Sequence, residues 1–443
     1  MKTYDSKTLL KTFSPEIENT SLTWKLTILA GLVVFLIGML GLWRQITGGH
    51  IVTGMRDNVV WGIYIVNFIF FMGLSYAGAL ISGTLVLFKS EWRRPVIRIA
   101  ELITVISILI GPFYILLCVG RLDRLYFLAL YPRIQSPIAW DVIAISTDII
   151  GCILFLYLSL IQDLALLRDY EDLRVPHWKR KLYKILALGY TDTPEQRKHL
   201  KTARNVMAAM IIAIAIIVYS VLAWLFGVTL QPGWHSTIFG PYFVIAAVYS
   251  GTGLMIIIMW IYRKVYHLEE FITKKHFEYV GYLLLIVGAF YGYFTFCDYL
   301  TKWYGSQKMD SLLIDKLFSQ YYWLFIFANY IGILVPIIII GISKFRTINS
   351  IFFAAVLTVL SLWVNRYLIV VPTLETPFLP IQDVRPAWLR YSATWVEWSL
   401  LAAGVAIFVV LLMLASKFIP IVSVSEMMES SEQKNTSKNE VQG

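Results

Sequence analysis

The sequence predicts an all-α integral membrane protein that crosses the bilayer about ten times. Three observations carry that reading. Apolar residues fill 58% of the 443 positions and charged residues only 15%, against roughly 45–50% and about 25% in soluble domains, so lipid must solvate much of the surface. The apolar residues gather into ten runs, each near the roughly 20 residues that a spanning helix needs. No run shows the alternation, broken by a turn about every ten residues, that marks a lipid-facing barrel.

In chain order the runs cover 24–42, 61–87, 97–119, 137–167, 205–228, 240–262, 277–303, 321–341, 348–370 and 397–418, numbered here helix 1 to helix 10. Helix 1 follows a long polar stretch, has full spanning length and precedes no small-x-small cleavage site, so it is expected to be retained. The connections are short except at 168–204, 304–320 and 371–396. Residues 1–23 form an N-terminal segment, 24–421 one membrane domain, and 422–443 a polar tail poor in aromatics that is expected to be unstructured. A weak echo joins helices 2 and 6: Gly62-x-Tyr64 with Gly73 matches Gly240-x-Tyr242 with Gly251. It suggests a parallel repeat of helices 2–5 on 6–9, of a kind also seen in transporters, although glycines recur in membrane helices without any repeat.

Orientation follows from the basic residues of the loops. With each Lys and Arg assigned to its nearer face, 27 of the 38 fall on the side of the two termini and 11 on the other. Both ends are therefore expected in the cytoplasm. The net charge of +10 is this bias together with the basic 168–204 loop, which reads as attraction to anionic lipid or as a dock for a soluble partner.

The residue inventory excludes several chemistries. A bis-histidine haem needs imidazoles at facing buried positions, yet His50 and His235 fall in outer loops, His177, His199 and His267 in inner loops, and His276 at a helix start. Cys118, Cys152 and Cys297 are scattered, whereas an iron–sulfur cluster needs about four thiolates. No Walker loop, dinucleotide glycine motif or HExxH occurs, and nothing points to nucleic acid. The expectation is that this chain binds no metal, haem or iron–sulfur cluster of its own.

Charges at membrane depth are costly and are functional candidates by default. Helix 3 ends in Cys118-Val-Gly-Arg121-Leu-Asp123-Arg124, and helix 4 opens with Pro137-Ile-Ala-Trp140-Asp141. Both ends meet at the outer face, where Asp141 can reach Arg121 or Arg124. Such a pair reads as a structural salt bridge, or as a proton acceptor whose pKa the arginine sets. Asp148 lies two turns deeper, Tyr157 further in, Tyr76 near the middle of helix 2 and Glu101 near the inner end of helix 3. Together they form either a broken proton path or a scatter of internally bonded polar residues. Asp298, Arg366 and Glu397, at helix ends near the outer face, read as structural pairs.

At these residues the chain resembles the NrfD/PsrC family of membrane subunits in quinone-linked oxidoreductases. It is most similar to the long ten-helix members, such as the ActC/ActF subunits of alternative complex III and the DsrP/HmeB-like subunits of sulfur metabolism. The matching stretches are GMRDNVVWGIYIVNF (54–68), AGALIS (77–82), EWRRP (91–95), GRLDR (120–124), YPRIQSPIAWDVIAIS (131–146), GWHSTIFGPYFV (233–244), LEEFITKKH (268–276), NRYLIVVP (365–372) and TWVEW (394–398). The short loop between helices 3 and 4, about 16 residues, fits the sulfur-metabolism branch.

The resemblance implies two four-helix bundles, helices 2–5 and 6–9, flanked by helices 1 and 10. It implies a multi-pass subunit of the prokaryotic cytoplasmic membrane that binds menaquinone or ubiquinone near the outer face. Electrons would pass to or from a ferredoxin-like iron–sulfur subunit docked outside, with a multihaem cytochrome c as a further partner and proton translocation as a further role. Asp141 matches the family's quinone-pocket aspartate and Arg121 its G-R arginine. Tyr76, Cys118, Arg124 and Trp140 are expected to line the pocket, with Asp148, Glu101 and Tyr157 on a proton path and Trp234 and His235 at the partner contact.

Two positions depart from the family pattern. Cys118 stands where His or Asp is frequent, and Tyr76 where S-H-A-G is frequent. A thiol is a weak hydrogen-bonding group, and a phenol of pKa about 10 is a poor base. The leading expectation is a quinone-reactive anchor that is not catalytic alone. The rivals are a structural or proton-conducting anchor with a decayed quinone site, and a secondary transporter, which should carry broken helices and midplane charges in both halves.

Overall fold

The computed structural model describes residues 6–120, 122–376 and 390–428. Among the described residues, ten helices are long and apolar enough to cross a membrane: α1 (Leu22–Gly48), α2 (Gly62–Leu87), α3 (Ile97–Cys118), α4 (Pro137–Asp169), α5 (Pro194–Gly227), α6 (Phe239–Val265), α7 (Lys274–Gly305), α8 (Tyr322–Gly341), α9 (Ile348–Leu374) and α10 (Trp395–Phe418). The protein is an all-α integral membrane protein, and no strand occurs among the described residues.

Side-chain caps satisfy the exposed amides at several helix starts. Ser21 accepts from Trp24 N at 3.1 Å before α1, and Thr193 from Gln196 N at 3.3 Å before α5. Thr273 with His276 and Thr394 with Glu397 form capping boxes on α7 and α10. Helix α5 starts eleven residues earlier than its apolar run. Its first three turns, PEQRKHLKTARN, are polar and project beyond the apolar layer, so hydropathy alone misses them. Within α8, residues 327–331 form a π-helical turn, a local widening that recurs at functional sites.

Packing divides the helices as the family resemblance implies. Helices α2, α3, α4 and α5 close a first four-helix bundle, and α6, α7, α8 and α9 close a second. The bundles join where α2 and α5 meet α6 and where α2 meets α9, while α1 and α10 pair with each other against α2 and α3. The seam needs small residues: a Cβ on Gly251 would lie 2.1 Å from Ala77 Cβ, so only glycine allows α6 this close to α2. Gly73, its partner in the sequence echo, faces the same seam, with Ala247 Cβ 3.6 Å from where its own Cβ would be.

Both ends of the described chain lie on one face. The N-terminal segment contains an amphipathic helix, Ser6–Glu18, with Leu9, Leu10, Phe13 and Ile17 buried at helical spacing. The rings of Phe13 and Phe271 meet at 4.9 Å. The polar tail was expected to be unstructured from 422. Instead, Val422, Val424 and Met427 are buried, Ser425 N donates to Asp163 Oδ1 at 2.8 Å, and Glu426 binds Arg93 at 3.0 Å. The alternating apolar residues and paired carboxylate of VSVSEM hold this strap across the end of the first bundle. Residues 429–443 lie outside the described chain.

Candidate functional site

The interior of the first bundle carries a stripe of polar residues on α4. Asp141, Asp148, Cys152, Ser159 and Asp163 follow at spacings of 7, 4, 7 and 4, which places them on one helical face. All five are buried. Asp141 sits in the second turn, held there by the Ser136–Pro137 start of α4, and its Oδ1 has no hydrogen-bond partner among the described residues. Two turns deeper, about 10 Å along the axis, Asp148 Oδ1 accepts from Cys152 Sγ at 3.3 Å while Oδ2 has no partner. Tyr76 of α2 packs its ring on Tyr219 of α5 at 4.7 Å, and its buried hydroxyl also has no partner. Asp148 and Asp141 are the carboxylates close enough to act on that hydroxyl.

Toward the termini face the same stripe enters an ionic network. Ser159 Oγ donates to Glu101 Oε2 at 2.8 Å, and Arg98 lies 3.8 Å from Glu101 and 2.8 Å from Asp163. All four side chains are buried. Asp163 also accepts from Ser425 N of the C-terminal strap at 2.8 Å and from Ser423 Oγ at 3.2 Å, so the track ends under that strap.

Several expectations need correction. Arg121 lies outside the described residues. Arg124 is exposed on a short helical turn and forms no ion pair with Asp141, so Asp141 is not the acid of an Arg124 salt bridge. Trp140 is 38% exposed and its indole N–H donates to Ile134 O, which faces it away from the bundle interior. Cys118 and Tyr76 do not share a cavity. Cys118 Sγ bonds Tyr114 O at 3.4 Å and approaches Trp61 O at 3.8 Å, with Tyr64 and Glu397 as its ionisable neighbours. Trp61 precedes Tyr76 by fifteen residues, about 22 Å of helix rise; Tyr76 is at mid-depth, not at the helix end.

Tyr157 donates its hydroxyl to Leu186 O at 2.6 Å, tying α4 to a short surface helix instead of joining the track. Trp234 is buried, donates to Ile369 O at 2.7 Å and stacks on Trp61 at 6.0 Å. It clamps the two bundles and offers no surface to a partner. His235 beside it is partly exposed, 3.6 Å from Asp310. Asp298 pairs with Lys302, and Glu397 accepts from Gly54 N and Tyr391 Oη, both at 2.6 Å, so these two are structural.

Arg366 is the residue that sequence reasoning misjudged most. It is buried at the seam between the bundles, with no acidic partner among the described residues. Its guanidinium lies over the Phe243 ring at 4.8 Å, reaches Asn365 Oδ1 at 3.5 Å and acts on the Tyr219 hydroxyl. Arg98 and Asp163 also went unassigned. The 7-4-7-4 spacing on α4 was the signal that could have found Asp163; nothing in the sequence marks Arg366 as lying apart from every described acid.

These features define a membrane subunit with a polar, partly unsatisfied interior in one of two paired bundles. Residues 51–377 match the family model "Polysulphide reductase, NrfD", and the chain belongs to that family. Relatives agree along most of its length. A selenate reductase subunit of Mesobacillus selenatarsenatis is 22% identical, covering 88% of this chain and 92% of the relative. The menaquinone reductase integral membrane subunit of Nitratidesulfovibrio vulgaris is 23% identical, covering 88% and 90%. A putative dimethyl sulfoxide reductase membrane subunit of Halobacterium salinarum is 29% identical over 51% of this chain and 49% of its own length, so that match spans about half of the relative. The chain is similar throughout to membrane anchor subunits of oxidoreductases.

Proposed function

We propose that this chain is the quinone-reactive anchor of a multisubunit respiratory oxidoreductase in a prokaryotic cytoplasmic membrane, with both termini in the cytoplasm. The observation that carries the reading is the buried stripe on α4, whose Asp141 and Asp148 each keep an oxygen without a partner among the described residues. A buried polar atom left unbonded costs about 1–3 kcal/mol, and a fold that keeps several retains capacity for a proton or a polar headgroup. Two relatives named for menaquinol or menaquinone support the same substrate class.

Quinone chemistry supplies a couple of two electrons and two protons. Asp141, nearest the face opposite the termini, accepts the two quinol hydroxyl protons one after the other as a general base, releasing the first into the polar track before taking the second. Asp148 lies below it, positioned by Cys152 and near the Tyr76 hydroxyl, and Glu101, Arg98 and Asp163 continue the polar track toward the termini face. The electrons leave to an iron–sulfur subunit docked over the far ends of α2–α5, where Leu130, Tyr131 and Ile134 stand exposed.

Asp141→Asn keeps size and hydrogen bonding but cannot take up a proton. In the assembled complex it should lower quinol turnover about 100-fold, the scale of a lost general base, with assembly intact. Wild-type turnover in that variant would sink the assignment. A second reading, a proton-conducting anchor with a decayed quinone site, is favoured by the separation of Cys118 from Tyr76. It expects Asp141→Asn to leave quinol oxidation untouched and Glu101→Gln to abolish proton movement in vesicles.

A further inference from the structure

On the termini face, the ends of α2, α4 and α5 enclose a cavity of about 160 Å³. Its wall carries Lys89, Arg93, Arg94, Arg197, Lys201 and Arg204, and no carboxylate lies among the described lining residues. Glu426 of the C-terminal strap reaches in from the rim to bridge two of these cations: it binds Arg93 at 3.0 Å and also binds Arg204. Asp192 pairs with Arg197. The wall therefore gathers six cations around one space, with Arg94, Arg197, Lys201 and Arg204 each in further interactions besides these acids. The crowding has an electrostatic sign: burial, together with the charges of Arg204 and Arg94, lowers the Arg93 pKa despite Glu426. An additional anion would relieve that repulsion.

The place and size of the cavity suit one class of anion. Val86, the last turn of α2, lines it, and the next residue but one, Phe88, is 79% exposed. The apolar run of α5 begins at Asn205, another lining residue. The cavity therefore lies at the boundary of the apolar layer, where lipid headgroups reside. A single water needs roughly 10–15 Å³, so there is room for an oxyanion with several ligands. Guanidinium forks match phosphate oxygens in geometry, and basic pockets between membrane helices hold acidic headgroups in this way.

We propose that this vestibule binds a phosphate-bearing anion, either the headgroup of an acidic phospholipid in the adjacent leaflet or free inorganic phosphate. The site does not depend on the redox reading and stands or falls separately from it.

The test uses the full chain, purified in detergent and stripped of lipid. It is titrated separately with phosphatidylglycerol, phosphatidylcholine and inorganic phosphate, and read by thermal shift and native mass spectrometry. The comparison is the variant Lys89→Gln/Arg94→Gln/Lys201→Gln, which leaves Arg93 and Arg204 on Glu426. Phosphatidylglycerol should stabilise the wild type saturably and bind the variant about tenfold or more weakly, while phosphatidylcholine has no saturable effect. The same variant-sensitive response to inorganic phosphate assigns the site to the free anion, and a response to phosphatidylglycerol without one to phosphate assigns it to lipid. If the triple variant does not fold, Lys201→Gln alone should weaken binding about threefold. No saturable response to either anion, or equal affinity in wild type and variants, overturns the proposal.

Discussion

The two four-helix bundles repeat each other in chain order and packing, yet their interiors differ. In the first, buried carboxylates line one face of α4 and oxygens of Asp141, Asp148, Glu101, Tyr76 and Ser107 have no partner. In the second, hydroxyls and amides bond one another: Tyr242 Oη meets Tyr291 Oη at 3.3 Å and Asn365 Oδ1 at 3.4 Å, Asn365 Nδ2 donates to Asn329 Oδ1 at 3.2 Å, and Tyr249 Oη donates to Gly332 O at 3.0 Å. Its buried acids sit toward the far face and have basic partners, Asp298 with Lys302 and Glu375 with Lys316, and there Asp298 Oδ1 is left without a hydrogen bond. A satisfied network rigidifies a bundle, whereas a half-satisfied one lowers stability and is retained where chemistry needs it. On the proposed function, the first bundle works and the second supports.

The most direct attempt to break this contrast pairs one change in each bundle. Asp148→Asn should lower quinol turnover by tens of fold, because the track loses a site that can hold a proton. Tyr242→Phe removes one hydroxyl from the satisfied network. It should cost about 1 kcal/mol of stability, seen as a small fall in melting temperature, with turnover within about twofold of wild type. Steady-state quinol oxidation of the two complexes decides it: equal losses would abolish the division of labour.

Arg366 stands between the bundles. A buried cation without an acid partner is destabilising, and an apolar residue of similar size is often neutral or stabilising in such a place. Arg366→Met is therefore expected to melt at or above the wild-type temperature while turnover falls about tenfold, through loss of the positive charge beside the Tyr219 hydroxyl. A variant that melts well below wild type would show that the guanidinium is structural and belongs to the second bundle's network.

The sequence made the spans legible because a bilayer imposes one length and one polarity on every crossing. Asp141, Asp148 and Glu101 could be singled out because charge at that depth is rare. The rotation of each helix was much less legible: lipid and protein interior are both apolar, so hydropathy cannot say which face of α3 holds Cys118 or whether Trp140 looks inward. Trp234 misled for a related reason. An indole in an outer loop usually marks the interface, and only the tertiary contact with Ile369 O makes it a buried clamp. The C-terminal strap was invisible because its Ser423, Ser425 and Glu426 are held by Asp163, Arg93 and Arg204, which are distant in sequence.

The termini extend the comparison to the ends of the bundles and give the smallest expected effect on turnover. The C-terminal strap closes the first bundle with Glu426: burial raises its pKa, but the charges of Arg204 and Arg93 more than offset this and hold it below the ordinary carboxylate value. The N-terminal helix brings Glu16 beside Tyr262 and Tyr266 of the second bundle, and there burial outweighs the charge of Lys417 and raises the pKa from 4.5 to about 8. The two shifts have opposite consequences. Docking of the N-terminal helix is at full strength below pH 4.5, where both docked and free states hold the proton. It weakens as the free state ionises, and the loss is complete once pH passes about 8. The strap behaves in the reverse sense, stable at neutral pH and loosened only as pH falls through the depressed pKa of Glu426. Hydrogen exchange, corrected for intrinsic rates, should therefore show protection of residues 6–18 falling about tenfold or more between pH 6 and pH 9, since one unit of pKa corresponds to a factor of ten. Residues 421–428 should hold their protection over the same range, and turnover attributable to the first bundle should not follow the helix. Glu16→Gln removes the titrating group and should flatten the profile of residues 6–18. If their protection still falls in that variant, the docking is governed by another group and the contrast between the two termini is lost.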